Sequence, residues 1–299
     1  MDLPDLQTID LDGPVAYREW EGPPDATFLL IHGLGASHLS WIQVAPSLSR
    51  LGHTIAVDLP GFGGSPLAAR TAGLMDQRRI VSRLLEKLGS GRIVLVGNSM
   101  GGAISLLQAA VEPASVSGIV LTGSAFPWRP PTLPNPLILL SLGIYWTPRV
   151  GERFVSWRLR DLDPDAIVHL SLRVLAADPR SIPGDVVSEL VDLTRRRKDD
   201  RDVATAFLQG ARSMLRLGAR PSIARRALDN VRCPVLVMHG ERDRVVPMAY
   251  AQAELASHPS WRGRFFADLG HIPQMEAPER WLAEVQGWTA DVFADRSSR

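Results

Sequence analysis

Short and almost unbroken apolar runs recur along the chain: "TFLLIHG", "HTIAVDLPG", "RIVLVGNS", "SGIVLTGS" and "CPVLVMHG". Each ends in Gly, Asp or Ser. Strands covered on both faces of a parallel sheet read this way, because neither face calls for polar alternation. Between the runs, Leu74 to Leu88 and Met100 to Val111 carry apolar residues at helical spacing. Strand and helix in alternation predict an α/β fold with a mostly parallel central sheet flanked by helices. Nearer the N-terminus, "QTIDL" and "VAYREW" read as antiparallel edge strands leading into that sheet.

The alternation breaks after about Ala125. From "FPWRPPTLPNP" to about Asn230 the chain is rich in Pro and Arg, with helical patterns and no strand, and regular alternation resumes at Cys233. The predicted organisation is a core formed by residues 1–124 and 231–299, interrupted by a helical insertion over 125–230. That insertion is expected to pack as a lid over the strand ends. The charged run "RRRKDDRD", Arg195 to Asp202, reads as a solvated helix end or loop.

Composition narrows the partners. A chain of 299 residues can bury a full core plus an insertion. Its 33 basic and 32 acidic residues leave a net charge of +1, which gives no electrostatic reason to expect nucleic acid. Cys233 is the single cysteine, so no intramolecular disulfide forms, and no Cys/His spacing suits zinc. Neither metal nor cofactor is expected. The opening "MDLPDLQTID" lacks the charged and apolar regions of a signal peptide. The stretch "LPNPLILLSLGIYW" is too short and interrupted to span a bilayer. These features predict a cytoplasmic protein without stable membrane insertion, with that stretch as a place for lipid contact. The oligomeric state is left open.

The candidate chemistry begins at Gly97-Asn98-Ser99-Met100-Gly101, a G-x-S-x-G pentapeptide. Chance supplies roughly 0.1 copies in a chain of this length, so context decides its meaning. It follows a buried strand-like run and opens a helix-like one, the setting in which this motif lifts a serine out of a strained turn. A serine hydroxyl needs a base, and the base needs an orienter. "VLVMHGERDRVVP" and "FFADLGHIPQMEAPE" each read as a strand followed by a loop, carrying Asp243 and His271. Glu241 and Asp268 are rival acids. His32 and His239 end strands in His-Gly pairs that suggest structural hydrogen bonding, and His53, His169 and His258 read as surface or helix positions. Two backbone amides are expected to hold a developing oxyanion. One is Met100, after the serine; the other is Leu34 in "HGLGAS", with Gly35 as its alternative.

With "HGLGAS", "DLPGFGGSP", "GNSMGG", "HGERDRVVP" and "GHIPQMEAPE" in this order, the chain resembles a lidded α/β-hydrolase. The resemblance covers both halves of the core and leaves the insertion without a motif. It gives Asp58 and Gly61 a structural turn and no chemistry. It implies Ser99 as nucleophile, His271 as base and Asp243 as its orienter, and a serine there disfavours the aspartate-nucleophile dehalogenases and epoxide hydrolases. The substrate expected is a small-molecule carboxylic ester with a small to medium, lipophilic acyl group. The alternative is a ketone: carbon–carbon hydrolysis of a vinylogous diketone, as in meta-cleavage product hydrolases, which "GNSMGG" with Asn98 resembles. Ile272, where that branch tends to carry an aromatic, counts against it, and Arg153, Arg158 and Arg160 are candidate substrate-binding arginines. A third reading is a slow-turnover sensor of a small ligand. Gly33, Asn98, Trp128, Trp146 and Ile272 are the candidate substrate contacts, with Leu137, Leu140 and Tyr145 as further apolar material in the insertion.

Overall fold

A computed structural model of the chain describes residues 3–89, 91–125 and 135–297. Eight strands form one sheet: β1 (Gln7–Asp10), β2 (Pro14–Trp20), β3 (Ala26–Ile31), β4 (His53–Val57), β5 (Arg92–Asn98), β6 (Gly118–Thr122), β7 (Val235–Gly240) and β8 (Arg262–Phe266). Their order across the sheet is β1-β2-β4-β3-β5-β6-β7-β8. β2 runs antiparallel to both β1 and β4, and every pair from β4 to β8 is parallel. The predicted fold class and the antiparallel edge are therefore observed.

The central strands are apolar along most of their length because both their faces are covered. Leu29, Ile31, Leu95, Leu121 and Val237 enter one core. Their sequence neighbours Phe28, Leu30, Val94, Val120 and Leu236 enter the other. The period-2 side-chain alternation of a strand thus feeds two apolar layers instead of one.

The helices are α1 (Ala45–Leu48), α2 (Leu74–Leu88), α3 (Met100–Val111), α4 (Pro136–Trp146), α5 (Val150–Asp161), α6 (Pro164–Leu175), α7 (Gly184–Arg196), α8 (Arg201–Gly218), α9 (Pro221–Leu228), α10 (Met248–Ser257), α11 (Pro273–Glu276) and α12 (Pro278–Ser297). Helices α2 and α3 occupy the ranges that the apolar spacing predicts. α4 to α9 lie between β6 and β7, where the sequence shows no strand, and no described residue between Gly123 and Pro234 is in one. Both cores reach into these helices. Ala206 of α8, with Ala224 and Leu228 of α9, joins the first, while Val168 and Leu172 of α6 and Val186 and Val191 of α7 join the second.

α8 is also pinned to the core by polar contacts. Gln209 Oε1 accepts the Ala72 N–H at 2.7 Å and Ser213 Oγ accepts the Leu74 N–H at 3.0 Å. α4 and α5 rest on α8 and on each other. No helix of the described residues is long and apolar enough to cross a membrane.

Candidate active site

β5 runs directly into α3 through a single residue, Ser99, whose backbone sits at φ 52°, ψ −114°. A positive φ is unfavourable for a residue with a Cβ and costs on the order of 1–3 kcal/mol. Two glycines make so tight a junction sterically feasible. A Cβ on Gly97 would lie 2.5 Å from the Gly101 backbone, and one on Gly101 would collide with the Ile31 carbonyl of β3. The turn is tied from below as well: the Ser99 N–H donates to Thr122 O at 3.1 Å, and Ser99 O accepts the Ala125 N–H at 3.2 Å.

The N-terminus of α3 leaves the Met100 N–H without an intrahelical acceptor, as at any helix start. Leu34 follows β3, and among the described residues its N–H also has no acceptor. Gly33 lies against the serine: a Cβ there would come within 3.2 Å of Ser99 Cβ and 3.1 Å of Asn98 Oδ1. α8 covers this corner, since a Cβ on Gly210 would meet Leu34 Cδ1 at 2.8 Å and Met100 Sδ at 3.3 Å.

Asp243 and His271, on the loops after β7 and β8, are brought together. His271 Nδ1 lies 2.7 Å from Asp243 Oδ2, with both side chains buried. Asp243 Oδ1 accepts the Val245 and Val246 N–H groups at 2.8 and 2.9 Å, which fixes the carboxylate in its own turn. Burial alone would raise the pKa of Asp243. The charge of His271 and hydrogen bonds from His239 and His271 outweigh it and hold the carboxyl well below the ordinary range. Ser99 Oγ and His271 Nε2 are not hydrogen-bonded in this structure. Of the rival acids, Asp268 pairs with Arg280 at 2.7 Å in an exposed salt bridge, and Glu241 has no bond to His271.

A family model described as alpha/beta hydrolase fold matches residues 26–278. The chain belongs to the α/β-hydrolase fold family. It is 27% identical, over 88% of its length, to the dihydrolipoyllysine-residue acetyltransferase component of an acetoin cleaving system from Pseudomonas putida, and spans 63% of that relative's length. It is 24% identical to a 2-hydroxy-6-oxononadienedioate/2-hydroxy-6-oxononatrienedioate hydrolase from Cupriavidus pinatubonensis, covering 89% of this chain and 88% of that one. Among solved structures, haloalkane dehalogenase DbeA from Bradyrhizobium elkani superposes with a TM-score of 0.81 at 24% identity, over 97% of this chain and 99% of that one.

Other expected contacts of this α/β-hydrolase are placed differently from one another. Asn98 is buried, and its side-chain amide donates to Thr122 O at 2.9 Å and to His271 O at 3.1 Å. It joins the ends of β5 and β6 to the backbone of the histidine loop. Ile272 is buried within the second core. Trp146 is half exposed at the end of α4, and Leu137 and Leu140 face outward. Tyr145 turns inward and meets Phe207 edge-on, with ring centroids 5.1 Å apart. Trp128 lies outside the described residues. Arg153 and Arg160 are exposed, and Arg158 donates to Ser171 Oγ at 2.8 Å.

Around the pair, His239, read in the sequence as a structural hydrogen-bonding residue, makes a contact that was not expected, and Glu276 went unread. His239 Nε2 lies 2.9 Å from Val246 O and 3.2 Å from Asp243 Oδ2, so a second buried imidazole faces the carboxylate. The i, i+4 spacing of "HGERD" is the only sign of it. Glu276 is buried, and its two oxygens accept the Gly270 N–H at 2.8 Å and the Ala177 N–H at 2.7 Å. Burial raises its pKa, with backbone hydrogen bonds opposing the rise. Together with the His271 N–H donating to Leu175 O at 2.7 Å, Glu276 fastens the histidine loop to the end of α6. The loop of Asp243 is fastened to the same helix, through Arg244 Nη1 and Arg173 O at 2.7 Å. The turn expected of Asp58 is filled by a buried His38–Asp58 pair at 2.8 Å, with the Gly64 N–H on the same carboxylate at 2.7 Å.

Proposed function

We propose that the protein is a serine hydrolase that cleaves carboxylic esters of small to medium, lipophilic acyl groups. The observation that carries this reading is a strained Ser99 at a strand–helix junction, beside an independently oriented His271–Asp243 pair. In the proposed reaction, Ser99 Oγ attacks the ester carbonyl as His271 Nε2 takes its proton. The Ser99–His271 contact tightens as substrate binds, which is usual for catalytic hydrogen bonds that are open without it. Asp243 keeps the proton of His271 on Nδ1 and stabilises the imidazolium. The Leu34 and Met100 amides receive the oxyanion, His271 returns its proton to the leaving alcohol, and water releases the acyl group. The helices between β6 and β7 act as the lid.

Likeness to a dehalogenase supports the fold and not that chemistry, because halide displacement needs a carboxylate nucleophile and position 99 is a serine. The second reading, carbon–carbon hydrolysis of a ring-fission product, is favoured by the similarity to the 2-hydroxy-6-oxononadienedioate hydrolase. Asn98, part of the resemblance to that branch, donates its amide to two backbone carbonyls.

The test compares p-nitrophenyl short-chain ester turnover with bleaching of a coloured dienone ring-fission product. Ester turnover is expected to dominate. Ser99→Ala should lower it by about 10⁴-fold or more, and a fluorophosphonate should label the native chain and not the variant. Inertness of the native chain to the probe would sink the serine mechanism; faster bleaching than ester turnover would move the assignment to the second reading.

A further inference from the structure

α4 poses a problem of solvation. Its eleven residues, "PLILLSLGIYW", include no charge, and none is buried. A helix apolar all round normally sits inside a protein or a membrane. Here the side turned to α8 is only half-buried, and the other side is open: Leu137 is 72% exposed, Leu140 63% and Trp146 50%. The surface continues past the turn into α5, where Val150 is 51% exposed. Exposed large apolar side chains gathered on one helix and its following turn, with only Ser141 and Thr147 as neutral polar residues among them, mark an interaction site.

The charges around it identify the occupant. Arg149 and Arg153 are exposed beside Val150, and neither forms an ion pair among the described residues. Arg149 holds a positive φ of 66° at the apex of the α4–α5 turn, a conformation unfavourable for arginine. Glu152, the acid between them in sequence, is already answered: Arg212 binds it at 2.7 Å and holds its carboxyl down at about 2. The remaining acids of the region, Asp161, Asp163 and Asp165, gather at the far end of α5 and the start of α6. An apolar helix face fringed by unanswered arginines at one end is the arrangement of an interfacial helix on an anionic lipid surface. The face itself offers no carboxylate with which a second copy of the chain could meet these arginines.

We propose that α4 and the α4–α5 turn dock the protein on anionic phospholipid bilayers. Leu137, Leu140, Trp146 and Val150 enter the boundary between headgroups and acyl chains, and Arg149 and Arg153 contact phosphates. The docking is independent of the reaction proposed above. It is tested on the Ser99→Ala chain, so that hydrolysis of vesicle lipid plays no part.

The experiment is co-sedimentation with phosphatidylcholine vesicles, with and without phosphatidylglycerol. The chain should sediment with the anionic vesicles and be released by salt. Arg149→Glu and Arg153→Glu should each lower partitioning by about fivefold, and Leu140→Glu should abolish it. Circular dichroism of each variant confirms folding. In the native-serine background, hydrolysis of a water-soluble short ester by Arg149→Glu should match that of the unaltered chain. Failure to sediment with anionic vesicles overturns the proposal. So does sedimentation that ignores phosphatidylglycerol and both arginine reversals. A concentration-dependent dimer lost in Leu140→Glu, without vesicle binding, would assign the face to a second copy instead.

Discussion

At the scale of single residues, the site depends on groups that never touch a substrate. Glu276 accepts two backbone N–H groups, one on each side of the gap between the histidine loop and α6. An amide in its place has one accepting oxygen and one donating nitrogen, so Glu276→Gln leaves one of those N–H groups unmatched. An unmatched buried donor costs about 1–3 kcal/mol, and a base displaced by a fraction of an ångström loses alignment with the serine. The expected outcome is a kcat lowered on the order of ten- to a hundredfold with KM little changed. Fluorophosphonate labelling should slow in parallel. Steady-state kinetics that showed only a higher KM would remove Glu276 from this positioning role. Ser99, Asp243 and His271 could be named from sequence because each stands shortly after a strand-like run. Glu276 could not: a bond spanning 99 residues, as between Glu276 and Ala177, leaves no periodic trace in a chain.

Among the elements, α2 and α3 could be read to the residue because each has one clearly apolar face or is buried throughout. α4 to α9 could be read only as helical material. Their patterns, from the uniformly apolar α4 to the amphipathic α8, do not tell which face meets the sheet and which meets solvent. α10 supplies a pH-dependent case. Glu254 is buried, and its Oε2 makes no hydrogen bond among the described residues, with His258 Nδ1 3.3 Å away. Burial, with Asp229 adding and Arg225 opposing, pushes its pKa up from 4.5 to about 8. The folded value lies above the unfolded one, so the folded chain binds this proton more tightly. The stability associated with it is complete below pH 4.5 and is lost as the pH rises through about 8. Glu254→Gln removes that loss. Its thermal midpoint should exceed that of the unaltered chain above pH 8 and converge with it below pH 4.5. A gain that did not depend on pH would show that the carboxyl is ionised in the folded protein.

For the whole molecule, the two apolar layers decide how the parts hold together. The first layer includes Ala206, Ala224 and Leu228, and the second includes Val168, Leu172, Val186 and Val191. The helices that interrupt the sheet in sequence are therefore continuous with its cores in space, one group on each face. The fold class was legible because strand and helix alternate in the sequence. This continuity was not, since it joins segments of similar composition without a shared motif. Denaturant unfolding should give one transition, coincident by tryptophan fluorescence and far-ultraviolet circular dichroism. A separate early transition would mean that the inserted helices unfold by themselves. The backbone of Leu175 adds a constraint on how such a protein can change. Its carbonyl receives the N–H of His271, so in the proposed mechanism the terminal turn of α6 supports the base as well as the inserted helices. Recombination that trades one cover for another, in nature or in the laboratory, must carry that turn across intact or rebuild it. Otherwise the new specificity arrives with a histidine that has lost its footing.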